Sequence, residues 1–443
     1  MLETGTYTRL AATLFTAALL LATTYSPNAG RETLVRAAAL AQVGDKTPRA
    51  EAACPIGETP LTSPFADLEG VLSVSPLGSV TAPGEPLPAP YIRVNTTLGE
   101  TILDRRQITA LAPAKIDVTA LERRTQRDSY GRATAQSWTV HFRVCESIAL
   151  YYDGIEKLDP TLLAKAGGLE TFEEFASADH IARETQIRLQ SGAPIGATRG
   201  FDVGLHDLAA APEGLERPER YAANPYAQAA AFDAPSSLIK AITPQTPFAR
   251  CPIDYLPQRM RASWSDKLGD SWVFRRAKGE GACRTALLDA PGAAQGVWFT
   301  DAAHNAATTK VSAIALASDS IDPERLIFAL HGRLSSLTPD LVSAAPAMDH
   351  VKEKAAKDFL SFERGTGRVN APFGDVQDGS IYCYERLRSN FVGPMINGVI
   401  LLQRNSIVDG PARLRIEARE DALSCIDLKE PWAFAGDETT FYR

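Results

Sequence analysis

Apolar and polar positions along this chain alternate in short runs, and the dominant period is two. Tyr91-Ile92-Arg93-Val94 alternates and predicts a strand. Trp138-Thr139-Val140-His141-Phe142-Arg143-Val144-Cys145 is a longer β-type run, followed closely by Ile148-Ala149-Leu150-Tyr151-Tyr152. Residues 108–118 form another, broken by Pro113. Residues 185–189 lead through the glycine-punctuated turn Ser191-Gly192-Ala193-Pro194-Ile195-Gly196 into a short strand that ends near His206-Asp207. Further on, Gly296-Val297-Trp298-Phe299, residues 310–317, residues 326–331 and Ile381-Tyr382-Cys383-Tyr384-Glu385 read the same way. Residues 398–403 and 412–418 predict a hairpin, with Leu414 and Ile416 alternating. One short helix is expected, with Asp159 as its N-cap, Pro160 at its first position and Gly167-Gly168 as its stop. Between residues 55 and 90 proline and glycine recur, and the missing donors and fixed φ exclude a central helix or strand. Residues 218–256 are irregular. Residues 348–362 fit a charged helix or a pair of strands equally well.

The pattern therefore predicts a mostly β protein. We expect a first β domain over residues 55–262 and a second, a small β-sandwich or barrel-like domain, over residues 270–443, with the boundary between Trp264 and Arg276. The 443 residues are long enough for both, and 45% hydrophobic against 22% charged residues supports packed cores. Arg9 followed by a nearly unbroken apolar run over residues 10–21 reads as an export signal ending near residue 30. The run is short for a bilayer span, so membrane attachment is expected only if the segment is not cleaved. Residues 31–54 are rich in alanine and charge and read as a linker. A net charge of −7 without a basic stripe argues against nucleic acid. The six cysteines (Cys54, Cys145, Cys251, Cys283, Cys383, Cys425) fit disulfides in a periplasmic or extracellular protein. Their spacing leaves the pairing open. If each half closed on itself one cysteine would be left over in each, and a bridge between halves would resolve this. None forms a C-x-x-C pair, so a cysteine-based zinc site is not expected.

Several pieces of the first domain, in order and at suitable spacing, resemble the lysostaphin/LytM-type zinc metallopeptidase domain, a duplicated hybrid motif built of β-strands. Pro76-Leu77-Gly78 with Pro83-Gly84 resembles the loop carrying that family's first histidine and aspartate. Ala112-Pro113-Ala114 resembles its "Ala-Pro-x-x-Gly" strand, with Lys115-Ile116 where the glycine would stand. Tyr151-Tyr152-Asp153-Gly154-Ile155 resembles "Tyr-x-His-Leu", the turn at residues 191–196 resembles "Gly-x-x-Ile-Gly", and residues 200–205 stand where the family has "Gly-x-His-x-His-Phe". Parts of the later chain, including Pro431-Trp432-Ala433-Phe434, are similar to uncharacterised exported proteins that carry a degenerate copy of this domain.

The resemblance implies a peptidase scaffold without its metal. A catalytic zinc needs about three protein ligands and an open position. His-x-His on a strand works because residues two apart share a face. Here Asp202 has a non-ligand for its partner, Glu85 stands at the first histidine, Pro90 or Tyr91 replaces the acid, and Asp153 replaces a further histidine. Asp202 and His206 share a face but lie about 13 Å apart along a regular strand. The expectation is a non-catalytic exported protein with no metal and no cofactor. It would bind a cell-envelope peptide, glycan or another protein in a cleft lined by Glu85, Tyr91, His141, Asp153, Asp202 and His206. The alternative is a zinc-dependent peptidase with relocated ligands drawn from Asp202, His206, His141 and Glu85. A third reading is a scaffold subunit acting through its C-terminal domain. His141 beside Phe142 and Trp138 reads as a half-buried histidine. His206-Asp207 as a base and its orienter is disfavoured, because neighbours on a strand point to opposite faces. His180, His304, His331 and His350 have no motif around them, and Trp298-Phe299 and Trp432 with Phe434 read as core. No nucleophile elbow, phosphate loop or dinucleotide fingerprint is present.

Overall fold

The computed structural model describes residues 53–54, 59–80, 88–99, 105–127, 130–177, 179–211, 235–242, 246–270, 275–278, 283, 289–300, 302, 313–331, 359–389, 391, 393–408 and 410–443. The chain is mostly β, with three antiparallel sheets. In chain order the first strands are β1 (Val71–Ser75), β2 (Ile92–Thr96), β3 (Ile108–Leu111), β4 (Ile116–Arg127), β5 (Ala133–Arg143), β6 (Ile148–Ile155), β7 (Lys157–Leu158), β8 (Glu173–Ser177), β9 (His180–Leu189), β10 (Pro194–Thr198) and β11 (Gly200–Asp207). Eight of them form one sheet in the order β1-β2-β11-β6-β5-β4-β9-β8. The other three, β3-β10-β7, form a small second sheet.

The large sheet has two unlike faces, and alternation within each strand creates them. Val94, Phe201, Val203, Leu205, Leu150, Tyr152, Val140, Phe142 and Val118 point one way into a continuous apolar cluster that includes Phe65 and Trp264. Tyr152 anchors it. Its ring meets Phe142 and Phe201 at 5.1 and 5.0 Å, and its hydroxyl donates to the Leu111 carbonyl. The opposite face is polar and carries the candidate site. A bulge between Val118 and Ala120 shifts the phase of β4, so that Val118 and Leu121 both enter the apolar cluster while Glu122 turns to the polar side.

The described residues hold three α-helices: α1 (Pro160–Lys165), which the local signals predict, and α2 (Ser236–Ile242) and α3 (Gln258–Ser265), which they do not. Helix α2 corrects the reading of residues 218–256 as irregular, and tertiary packing rather than local pattern holds it. Asp159 caps α1, its carboxylate accepting from the Thr161 and Leu162 amides, as the sequence predicts. Helix α2 lies over the polar face and packs Leu238 and Ile242 on Ala120, Phe175 and Ala182. The proline-rich stretch does contain a strand, β1. It sits at the sheet's edge and is followed directly by Pro76, a position where a missing donor is tolerated.

The later strands are β12 (Gly296–Phe299), β13 (Ala313–Ser318), β14 (Arg325–His331), β15 (Phe359–Glu363), β16 (Ile381–Tyr384), β17 (Arg388–Ser389), β18 (Val399–Asn405), β19 (Arg413–Arg419) and β20 (Thr439–Tyr442). They form one sheet in the order β16-β18-β19-β20-β12-β13-β14-β15-β17, and no pair among the described residues closes it into a barrel. The expected hairpin is β18 paired with β19. Strand β15 takes up the end of the undecided stretch at residues 348–362. Strands β12, β13 and β14 are buried on both sides. Val297, Phe299 and Ala315 join the apolar cluster of the first sheet, while Trp298, Ile314 and Phe328 enter a second core with Phe362, Phe373 and Tyr384.

The six cysteines pair as Cys54–Cys145, Cys251–Cys283 and Cys383–Cys425. The middle bridge joins the third cysteine to the fourth, and so links the stretch carrying the first three to the stretch carrying the last three. Three disulfides fit an oxidising, non-cytoplasmic environment. Among the described residues no helix is long and apolar enough to cross a membrane.

Candidate functional site

Two ladders of side chains cross the polar face of the large sheet. Residues directly opposite each other on neighbouring strands share a face. Register places Thr139 opposite Asp153, Asp153 opposite Asp202, Asp202 opposite Arg93 and Arg93 opposite Ser75. One step along the strands, Ala120 lies opposite His141, His141 opposite Tyr151 and Tyr151 opposite Gly204. The first ladder is hydroxylic and charged, and the second is largely aromatic.

The first ladder is wired internally. Thr139 donates its hydroxyl to Asp153 Oδ1 at 2.7 Å, and the Gly154 amide donates to the same oxygen. The Arg93 guanidinium donates to both oxygens of the buried Asp202, at 3.2 and 3.4 Å, from a side chain that is itself half in solvent. Asn95, next to this ladder, donates to the hydroxyls of Ser73 and Ser75.

The second ladder is built around Tyr151. Gly204 on β11 leaves room for its ring: a Cβ there would meet the ring at 2.0 Å. His141 lies to one side with ring centroids 6.1 Å apart, and His206 to the other at 5.7 Å, both tilted by about 35°. His206 is buried and pairs through its backbone with Ala249, which follows the Thr246–Phe248 turn. Its Nε2 has no hydrogen-bond partner. Burial, with the nearby His141 charge adding to it, lowers its pKa from 6.5 to about 3.

Glu122 is the chemical centre of the deeper part of the face. Its carboxylate is fully buried and receives Nε2 of His141 at 2.5 Å on one oxygen and Nε2 of His180 at 2.6 Å on the other. An ionised carboxylate only accepts, so both imidazoles present an N–H to it. Burial by itself would raise the Glu122 pKa. The hydrogen bonds from His141 and His180, and the charges of His141 and Arg124, outweigh it and hold the carboxyl well below the usual range. The triad stitches β4 to β5 on one side and to β9 on the other. Arg124 stands 3.5 Å from the same carboxylate.

Of the six cleft candidates, the structure brings His141, Asp153, Asp202 and His206 onto one face of one sheet. Tyr91 lies half-buried immediately before β2. Glu85 lies outside the described residues, as do His304 and His350. Sequence reasoning missed Glu122, which reads as one charge in a charged run, and treated His180 as unremarkable. The phase of β4 is set by its bulge and the second histidine arrives from β9, so no local spacing announces either residue. Asp207 leaves the face altogether and accepts a 2.7 Å hydrogen bond from Tyr255, whose own pKa is raised by burial and by that carboxylate. Among the described residues no group of three or more histidine, cysteine, aspartate or glutamate side chains is arranged to hold a metal ion. Comparison with family models, with curated proteins and with solved structures gives no match.

Proposed function

We propose that this chain is an exported, non-catalytic binding protein. Its binding surface is the polar face of the eight-stranded sheet, and its ligand is a cell-envelope peptide or glycan. The peptidase-like ancestry suggested by the glycine-punctuated turn and the strand after it belongs to the same proposal: a scaffold kept for its face rather than for a metal.

The observation that carries this reading is that the carboxylates of the face are already engaged. Glu122 is engaged by two imidazoles, Asp153 by Thr139 and the Gly154 amide, and Asp202 by Arg93. A general base needs to reach the proton it abstracts, about 2.6–3.2 Å away in a substrate complex. Glu122, His141 and His206 are all buried. What the face offers to solvent is Arg93, with half-buried Tyr151, Asp153, Asn95 and Ser75, a set suited to hold a ligand. The three disulfides support an oxidising compartment. The test is retention of the purified protein on isolated peptidoglycan with the soluble fraction assayed for released fragments. Retention without release supports the proposal, and failure to bind removes it.

A further inference from the structure

We propose that the ladder centred on Tyr151 is a saccharide platform, with the Tyr151 ring as the stacking surface and Asp153 and Arg93 as its hydrogen-bonding rim, the buried Asp202 between them holding Arg93 in place. This rests on the reading of the polar face as a binding surface and names its ligand class.

Gly204 sets the position of the Tyr151 ring. Tyr151 and Gly204 are directly opposite on β6 and β11, and the ring occupies the space that any Cβ at 204 would fill. The side chain is thereby laid over its neighbour strand while staying half-exposed, and the flanking imidazoles of His141 and His206 hold it from both sides. A fixed, half-exposed aromatic ring presents an apolar face with little rotamer freedom left to lose on binding.

Beside it runs a row of two carboxylates followed by a guanidinium. Asp153 and Asp202 are adjacent across strands, and Arg93 follows Asp202. Strands are spaced by about 4.8 Å, and residues two apart along a strand by about 6.6–6.8 Å, so the stacking ring and the polar row sit one sugar ring's breadth apart. Vicinal hydroxyls take a carboxylate and a guanidinium together, because each hydroxyl both donates and accepts. The rows lie in the middle of the sheet, on strands already paired on both sides. A peptide binding by strand addition needs an unpaired edge, which this location does not provide. A saccharide lying flat across the strands needs none.

The test uses the full chain with its disulfides intact and isothermal titration with chitotetraose and with cellotetraose. A separate arm uses the stem pentapeptide of peptidoglycan. The expected result is binding of at least one oligosaccharide, weakened at least tenfold in Tyr151→Ala and Tyr151→Leu and within about twofold of wild type in Tyr151→Phe, since the ring face and not the hydroxyl does the stacking. Tyr151→Leu keeps Gly204 covered by an apolar side chain, so the result does not hinge on the alanine variant folding. Unchanged oligosaccharide affinity in both truncations overturns the inference. Binding of the peptide alone overturns it while leaving the binding-face reading intact. No binding in either arm at about 10 mM removes both.

Discussion

His206 gives the sharpest consequence of the polar face being partly sealed. In the folded protein it stays neutral down to about pH 3, while in the unfolded chain it takes up a proton below about 6.5. Folding therefore excludes a proton that the unfolded state binds. The histidine costs no stability above pH 6.5, and its cost grows by about 1.4 kcal/mol for each pH unit below, levelling off near pH 3. Between pH 7.5 and 4.5 the loss is about 2.5 kcal/mol, a large share of the roughly 5–15 kcal/mol that holds a domain together. The perturbation is His206→Leu, which fills much of the same buried space without a titrating group. Urea unfolding under non-reducing conditions, extrapolated to water at both pH values, measures it. Any packing change from the substitution enters at both pH values and cancels in the difference. Glu122 does not contaminate this window: its carboxyl is depressed, so its stabilisation is full above its unfolded value of about 4.5 and is lost only in stronger acid. Wild type should lose about 2.5 kcal/mol more than the variant on acidification. Parallel losses in the two proteins would refute the burial of an unpaired neutral imidazole.

Three further outcomes follow from the same face and its supports. Glu122→Ala strands two imidazole donors in a buried site and should cost about 3–5 kcal/mol in the same urea assay; a cost below about 1 kcal/mol would show that the triad is not the clasp between β4, β5 and β9. Gly204→Ala pushes a methyl into the Tyr151 ring and should destabilise by about 1–3 kcal/mol, with a changed near-ultraviolet signal from the displaced tyrosine; an unchanged spectrum would mean the ring does not rest there. Replacing Cys54 and Cys145 by serine opens a loop of 91 residues and should cost about 4–5 kcal/mol by chain entropy, read as a lower urea midpoint; an unchanged midpoint would count against the pairing.

The strands were legible because their physics is local. Ile148-Ala149-Leu150-Tyr151-Tyr152 alternates, and the alternation alone tells that Tyr151 and Tyr152 face opposite ways, one to the polar side and one into the core. The family resemblance brought Asp153 and Asp202 into consideration, while His141 and His206 were noted from their places in strand-like runs. What did not show was what each would meet. Glu122 reaches the polar face through a bulge, and a bulge leaves little trace in composition. His180 meets Glu122 from a strand 58 residues away. The disulfides divide in the same way: a bridge between halves was inferable by counting, whereas its identity as Cys251–Cys283 depends on folding. Strand β1 was hidden by the prolines and glycines around it, because those residues argue only against central strands. Helix α3 was missed as well. It carries no side-chain cap at Pro257 and buries mainly Trp264, edge-on to Phe65 at 4.9 Å, so its helical period is faint.

The central claim is that the polar face binds a cell-envelope ligand and does not cleave it. The most direct measurement incubates wild type and Tyr151→Ala with isolated peptidoglycan, then quantifies both the protein retained and the fragments released. The account predicts that wild type is retained, that Tyr151→Ala washes off, and that neither releases fragments above the buffer control. Release of soluble fragments by wild type, or equal retention of the two proteins, would contradict it.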